Sequence, residues 1–263
     1  MRTPSGPPQW ALADGVATIT LCRPQHHNRL HLDDLQRLRE LVQRANDDPR
    51  VRVLVLAARV RAGARPVFSA GFHLGDFERA EGGAGAAADA FVQAADALAA
   101  ARPVTLAALG GSVYGGAVDL ALACDLRVGV LGMEARVPAA ALGLHYGTSG
   151  LRRAVAVLGL PVARRLFVAA HTLGADELLA SGFVDALVPP SALAAEVQRR
   201  AQALAALAPL AVQGMKRTLL ELATGTGDAA TWRQRERLTQ ASADFAEGRA
   251  AALQRRAPRF VGR

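Results

Sequence analysis

The stretch from Val104 to Val130 narrows the choice of fold more than any other part of this chain. It reads VTLAAL, GGSVYGG, AVDLALACD, LRVGV. The first run, 104–109, is apolar except at Thr105, the pattern of a strand buried on both faces. A glycine-rich turn at 110–116 leads straight into a short apolar helix, and 126–130 is strand-like again. VRVLVLAA at 51–58 is a further doubly buried run. Strands alternating with helices through glycine turns imply an α/β fold with crossover connections.

Nearer the N-terminus, QWALADGVATITL (9–21) carries Asp14-Gly15 between two apolar runs, a tight-hairpin signal. From Leu32, apolar residues recur at Leu35, Leu38, Leu41, Val42 and Ala45, a helical spacing that Pro49 stops. An Arg/Gly/Ala loop leads to FSAGFHLGDF (68–77). An alanine-rich helix is expected over 84–101, with 82–88 as the most mobile segment. After about residue 150 short helices take over, with FVDALVP (183–189) as a last strand-like run. From Pro190 to Leu253 the periodicity is helical, broken near Ala208-Pro209 and at Thr224–Gly227. The expected organisation is an α/β core over residues 1–200 and a helical region over 201–263.

Composition excludes several function classes. The formal net charge is +8, but the arginines are scattered in small groups such as Arg50/Arg52, Arg152/Arg153 and Arg199/Arg200. There is no long basic run and no interleaved aromatic residue, so a solvated basic surface is expected and nucleic acid is not. Cys22 and Cys124 are too few for a disulfide framework or a cysteine metal site. No histidines fall into a metal-binding pair, and no metal is expected; His26, His27 and His31 are expected to face solvent. Met1–Gln9 does not read as a leader and no stretch reads as a membrane span, so the default is a soluble cytoplasmic protein.

Two turns could carry chemistry: Ser69-Ala70-Gly71-Phe72-His73-Leu74, and Tyr114-Gly115-Gly116-Ala117-Val118-Asp119. Glycines at strand-to-helix turns let the backbone approach a ligand and leave amide N–H groups facing outward. Two such groups aimed at one point form an oxyanion hole. A glycine pair before a helix also serves tight packing, so neither turn is diagnostic alone. The dinucleotide, P-loop and nucleophile-elbow motifs are missing.

At these turns the sequence resembles the crotonase superfamily, the enoyl-CoA hydratase/isomerase family, and it does so along nearly the whole chain. ITLCRPQHHNRL (19–30), VFSAGFHL (67–74), GGSVYGGAVDLALACDLRV (110–128), VPAAALGL (137–144), DELLASGFVDALVPP (176–190) and RRAPRF (255–260) resemble its successive segments in order and spacing. The resemblance implies a spiral of ββα units with a C-terminal helical region that mediates trimers, often paired into hexamers. It implies a coenzyme A thioester as substrate and no separate cofactor. The thioester carbonyl would sit between the backbone N–H groups of Phe72 and Gly116. His27, Ser69, Ala70, Gly71, His73, Leu74, Tyr114, Gly115, Ala139 and Leu142 fall at positions that would line the substrate.

The chain departs from the family at the acid–base positions. Family hydratases use two glutamates; the first position is Asp119 here and the second is Ala139, which cannot carry a proton. His145 and Tyr146 follow in LGLHYGTSG (142–150), and Tyr146 resembles, in position, a tyrosine of the methylmalonyl-CoA decarboxylase branch. Catalytic roles are thus expected for Phe72, Gly116, Asp119 and Tyr146. The reaction is expected to pass through a thioester enolate with Asp119 as the remaining carboxylate. The alternatives are a decarboxylase-like lyase and a non-hydrating relative that binds acyl-CoA or RNA.

Overall fold

Asp14 and Gly15 both adopt left-handed backbone angles, φ 50° and 77°. They fold strand β1 (Gly6–Ala13) back onto β2 (Val16–Cys22), with Ala13 opposite Val16, as the Asp-Gly signal predicts. The computed structural model describes residues 5–61, 63 and 65–263. Met1–Pro4, part of the segment read as lacking a leader, lie outside those residues.

The further strands are β3 (Val53–Ala58), β4 (Val67–Ser69), β5 (Val104–Leu109), β6 (Ser112–Tyr114), β7 (Leu126–Val130), β8 (Glu134–Arg136), β9 (Leu173–Gly174) and β10 (Ala186–Val188). The helices are α1 (Leu32–Asp47), α2 (Asp76–Arg79), α3 (Gly83–Ala99), α4 (Gly116–Leu122), α5 (Thr148–Ala163), α6 (Ala175–Ala180), α7 (Leu193–Ala205), α8 (Pro209–Thr224), α9 (Ala229–Gln240) and α10 (Ala243–Leu253). Two sheets form, one ordered β1-β2-β3-β5-β7-β10 and the other β4-β6-β8-β9. Pairing is parallel except in β1·β2 and β8·β9. Three times in succession a strand of the large sheet (β3, β5, β7) is followed by a short strand of the small sheet (β4, β6, β8) and then by a helix. This is the ββα spiral that the resemblance implies.

The doubly apolar runs behave as their pattern requires: every residue of β5 is buried. Leu35, Leu38, Leu41, Val42 and Ala45 of α1 are buried in the main core beside Ala94, Ala95 and Leu98 of α3. Burying each such leucine contributes about 1.5–3 kcal/mol. The alanine-rich helix expected over 84–101 is α3, and the segment 82–88 spans its start. FVDALVP contributes only the three-residue β10. The other face of the large sheet is covered by α7, whose Val197 and Ala201 pack on Val53, Val55, Leu106 and Val128. Residue 200 therefore falls inside α7. Helices α8–α10 follow the breaks seen in the sequence and leave Met215, Leu219, Leu222, Leu238 and Leu253 exposed.

Candidate active site

The two glycine turns leave the adjacent strands β4 and β6 of the small sheet, so strand pairing brings them together. A polar cross-brace fixes the first turn. Asn28 is buried, with φ 48°, and its side-chain nitrogen donates to the carbonyls of Arg59 and Phe68, both at 2.9 Å. Its side-chain oxygen accepts from the Arg23 N–H at 2.8 Å. The Ser69 hydroxyl donates to the Asn28 carbonyl at 2.8 Å and accepts from the Gly71 N–H at 3.1 Å. Ala70 N–H donates to the His27 carbonyl, and Leu30 bridges Phe72 on both sides, Leu30 N–H to Gly71 and His73 N–H to Leu30. The Asn28-x-Leu30 signature is thus a clamp that sets where the Phe72 amide points.

Gly71 joins the turns. Its φ is +81°, and a Cβ there would lie 2.5 Å from the Tyr114 carbonyl oxygen and 2.6 Å from the Gly116 nitrogen. Only glycine permits both the angle and the approach. A Cβ at Gly116 would in turn lie 3.4 Å from the Phe72 nitrogen, so the two amides are neighbours. Neither donates to a backbone carbonyl among the described residues, and Gly116, first in α4, has no intrahelical acceptor. Phe72, Gly115 and Gly116 are all partly exposed. Two neighbouring backbone donors without a carbonyl partner are available to a ligand oxygen.

One turn along α4 from Gly116, Asp119 is 1 % exposed and is held by a bidentate ion pair. Arg153 of α5 donates from Nε to Oδ1 at 2.8 Å and from Nη2 to Oδ2 at 3.0 Å, and its Nη1 pairs with Asp96 of α3. Burial pushes the Asp119 carboxyl up, against the pull of the guanidinium. Arg153 had read as part of a solvated pair with Arg152; its side chain is 11 % exposed and turned inward. The signal was its place three residues after Gly150, on the helix face that carries the site. A Cβ at Gly150 would lie 2.7 Å from both Asp119 Oδ2 and Tyr146 Cε1, so the tyrosine ring rests beside the carboxylate.

The Tyr146 ring is half-buried and packs edge-on to Phe167 at 5.0 Å, while its hydroxyl is buried with no hydrogen-bond partner among the described residues, as is the Ser149 hydroxyl. Burial first, then the nearby Asp119 charge, pushes the phenol well above its ordinary range. Ala139 is buried at 7 % and offers no polar atom; His145 is exposed.

The remaining expected residues divide. Leu74 and Leu142 are exposed, at 53 % and 54 %. The His27 side chain is exposed too, and this residue meets the site through its carbonyl. Tyr114 hydroxyl donates to Glu134 of β8 at 2.6 Å, so it braces the small sheet. Gly115, at φ 53° and ψ −123°, makes the sharp entry into α4. His73 turns to Asp76, its Nδ1 3.0 Å from Oδ1. His31, expected to face solvent, is half-buried with Nδ1 3.2 Å from the same carboxylate, because the α1 start packs against the 70–76 turn. His26 and His27 are exposed as expected.

Comparison with known proteins places the chain in a family. The family model "Enoyl-CoA hydratase/isomerase" matches residues 12–263. The chain is 32 % identical to the mitochondrial enoyl-CoA hydratase domain-containing protein 2 of Bos taurus, over 94 % of this chain and 85 % of that protein. It is 29 % identical to the crotonyl-CoA hydratase of Syntrophomonas wolfei, over 94 % and 95 %. Its structure matches that of an enoyl-CoA hydratase/carnithine racemase from Magnetospirillum magneticum with a TM-score of 0.89 at 27 % identity, covering 99 % and 97 %. With the ββα spiral, the paired glycine turns and a match that runs almost end to end, the chain belongs to the enoyl-CoA hydratase/isomerase family and is an acyl-CoA enzyme of the crotonase superfamily.

Proposed function

We propose that this enzyme forms a thioester enolate by losing carbon dioxide from a malonyl-type acyl-CoA, and that it is not a standard hydratase. The observation that carries this reading is the proton inventory beside the amides of Phe72 and Gly116. Ala139 supplies no acid or base, Asp119 has both oxygens engaged by Arg153, and the buried hydroxyl of Tyr146 has no partner. Hydration needs a base to activate water, and this arrangement offers none that is free.

Decarboxylation needs no base. The bond between the α-carbon and the substrate carboxylate breaks, carbon dioxide leaves, and the electron pair passes into the thioester. The carbonyl oxygen becomes an oxyanion that accepts from Phe72 N–H and Gly116 N–H. Each such donor typically contributes about 3–4 kcal/mol to lowering the barrier. The Tyr146 O–H then gives its proton to the α-carbon, and water restores the phenol. A phenol is protonated at neutral pH, so Tyr146 carries the proton that this step needs. Asp119 acts as a positioning residue that holds Arg153 and packs against Tyr146.

This reading has two broader parts. The exposed apolar residues of α8–α10 favour self-association as a trimer or dimer of trimers. A cytoplasmic enzyme is part of the proposal; no helix among the described residues is long and apolar enough to cross a membrane. The test is product analysis with crotonyl-CoA and with methylmalonyl- and malonyl-CoA. Release of carbon dioxide from the latter pair, with kcat lowered on the order of a hundredfold by Tyr146→Phe, is expected. Efficient hydration of crotonyl-CoA with no decarboxylation would overturn the proposal.

A further inference from the structure

We infer that His31, His73 and Asp76 form a binding site for a divalent transition metal of the zinc class, placed beside the 70–76 turn. The residues come from two separate segments, the start of α1 and the turn that carries Phe72. One donor atom from each can be chosen so that all three lie within 4.8 Å of one another. Asp76 Oδ1 lies 3.0 Å from His73 Nδ1 and 3.5 Å from His31 Nδ1. Ligands held at about 2.0–2.2 Å by a tetrahedral ion are roughly 3.3–3.6 Å apart, so Oδ1 already stands near ligand spacing from both imidazoles.

The supporting shell is also in place. Asp76 is 6 % exposed, and its second oxygen accepts from the Leu32 N–H at 3.1 Å and lies 3.2 Å from His31 Nδ1, which fixes the carboxylate beside both rings. The rings are 4.5 Å apart between centroids. Room for His73 is built in: a Cβ at Gly75 would lie 2.8 Å from its Cε1. A cavity lined by Arg23, His31, Leu32, Asp33 and Asp76 opens beside His31 and the carboxylate, the side from which an ion and its water would enter. Arg23, the cation in that cavity, is paired with Asp33 and Asp34 and does not repel an incoming ion strongly. Arg29 Nε is 3.3 Å from His31 Nε2 and must turn aside when Nδ1 takes the metal. Bound metal would tie α1 to the turn one residue from the Phe72 amide, as a clip on the site and not as a reactant.

The competing account is that the two imidazoles merely share one carboxylate through hydrogen bonds, and zinc titration separates the two. The dialysed full-length protein is titrated with zinc against a chromophoric chelator. One equivalent per chain is expected, with affinity weakened at least tenfold in His73→Asn and in Asp76→Asn and unchanged in His171→Ala. Should those two variants misfold by circular dichroism, cobalt(II) added to the wild-type protein decides: intense visible absorption of a tetrahedral site, abolished by one equivalent of zinc, is expected. Absence of stoichiometric zinc and of the cobalt spectrum in the wild type, or full affinity in both folded variants, would overturn the inference.

Discussion

Arg153→Met leaves Asp119 buried with its charge uncompensated. In the wild type that carboxylate is 1 % exposed and accepts two guanidinium bonds at 2.8 and 3.0 Å. Hydrogen bonds to charged groups contribute about 1.5–3 kcal/mol each, and breaking a buried ion pair costs about 3–5 kcal/mol. A loss of about 3–5 kcal/mol near pH 8 is therefore expected. The pH dependence follows from the direction of the Asp119 shift. Its folded-state pKa is raised, chiefly by burial, so the native protein holds that proton to higher pH than the unfolded chain. Its contribution is full below the unfolded value near 3.9 and falls as pH rises through the folded value. Without Arg153 the folded value climbs further, so the deficit should be larger at pH 8 than at pH 5. Urea unfolding at fixed protomer concentration, at both pH values, measures this. Asp119→Asn combined with Arg153→Met should recover at least half of the loss. A deficit below about 1 kcal/mol, or one equal at both pH values and not relieved by the second substitution, would refute the reasoning.

Three further outcomes are expected. Gly71→Ala places a Cβ 2.5 Å from the Tyr114 carbonyl at a φ of +81°; displacing the paired amides by about 1 Å should lower kcat roughly a hundredfold, read by steady-state turnover. Asn28→Ala removes its bonds to the Arg59 and Phe68 carbonyls and from the Arg23 N–H; denaturant unfolding should show a loss of about 2–4 kcal/mol. The Cys124 thiol, buried and pushed up to about 12, should react with a thiol reagent only after denaturant is added, while rapid labelling of the native protein at pH 8 would contradict the buried placement.

Features set by local chemistry were legible in the chain. Asp14-Gly15 turned the first hairpin because both residues tolerate positive φ. The Leu35, Leu38, Leu41 face of α1 went to the core because its spacing admits one buried side. The amide pair proposed at Phe72 and Gly116 came from the family resemblance at the two glycine turns, since neither turn is diagnostic alone. Less was legible where a segment's state depends on its neighbours. FVDALVP, strand-like in isolation, contributes only Ala186–Val188 to the sheet, where β10 pairs with β7.

By itself, then, the sequence determined the alternation of strands and helices and the core faces, each of which rests on residues near one another in the chain, while the ββα spiral followed from the family resemblance. Tertiary structure alone decided which side chains meet. Arg153 looked like half of a solvated basic pair until α5 laid it against Asp119, 34 residues away in sequence. His31 looked like a surface histidine until the start of α1 brought it to Asp76. Charge and pKa depend on burial and on a partner within a few ångströms, and neither exists until distant segments pack together.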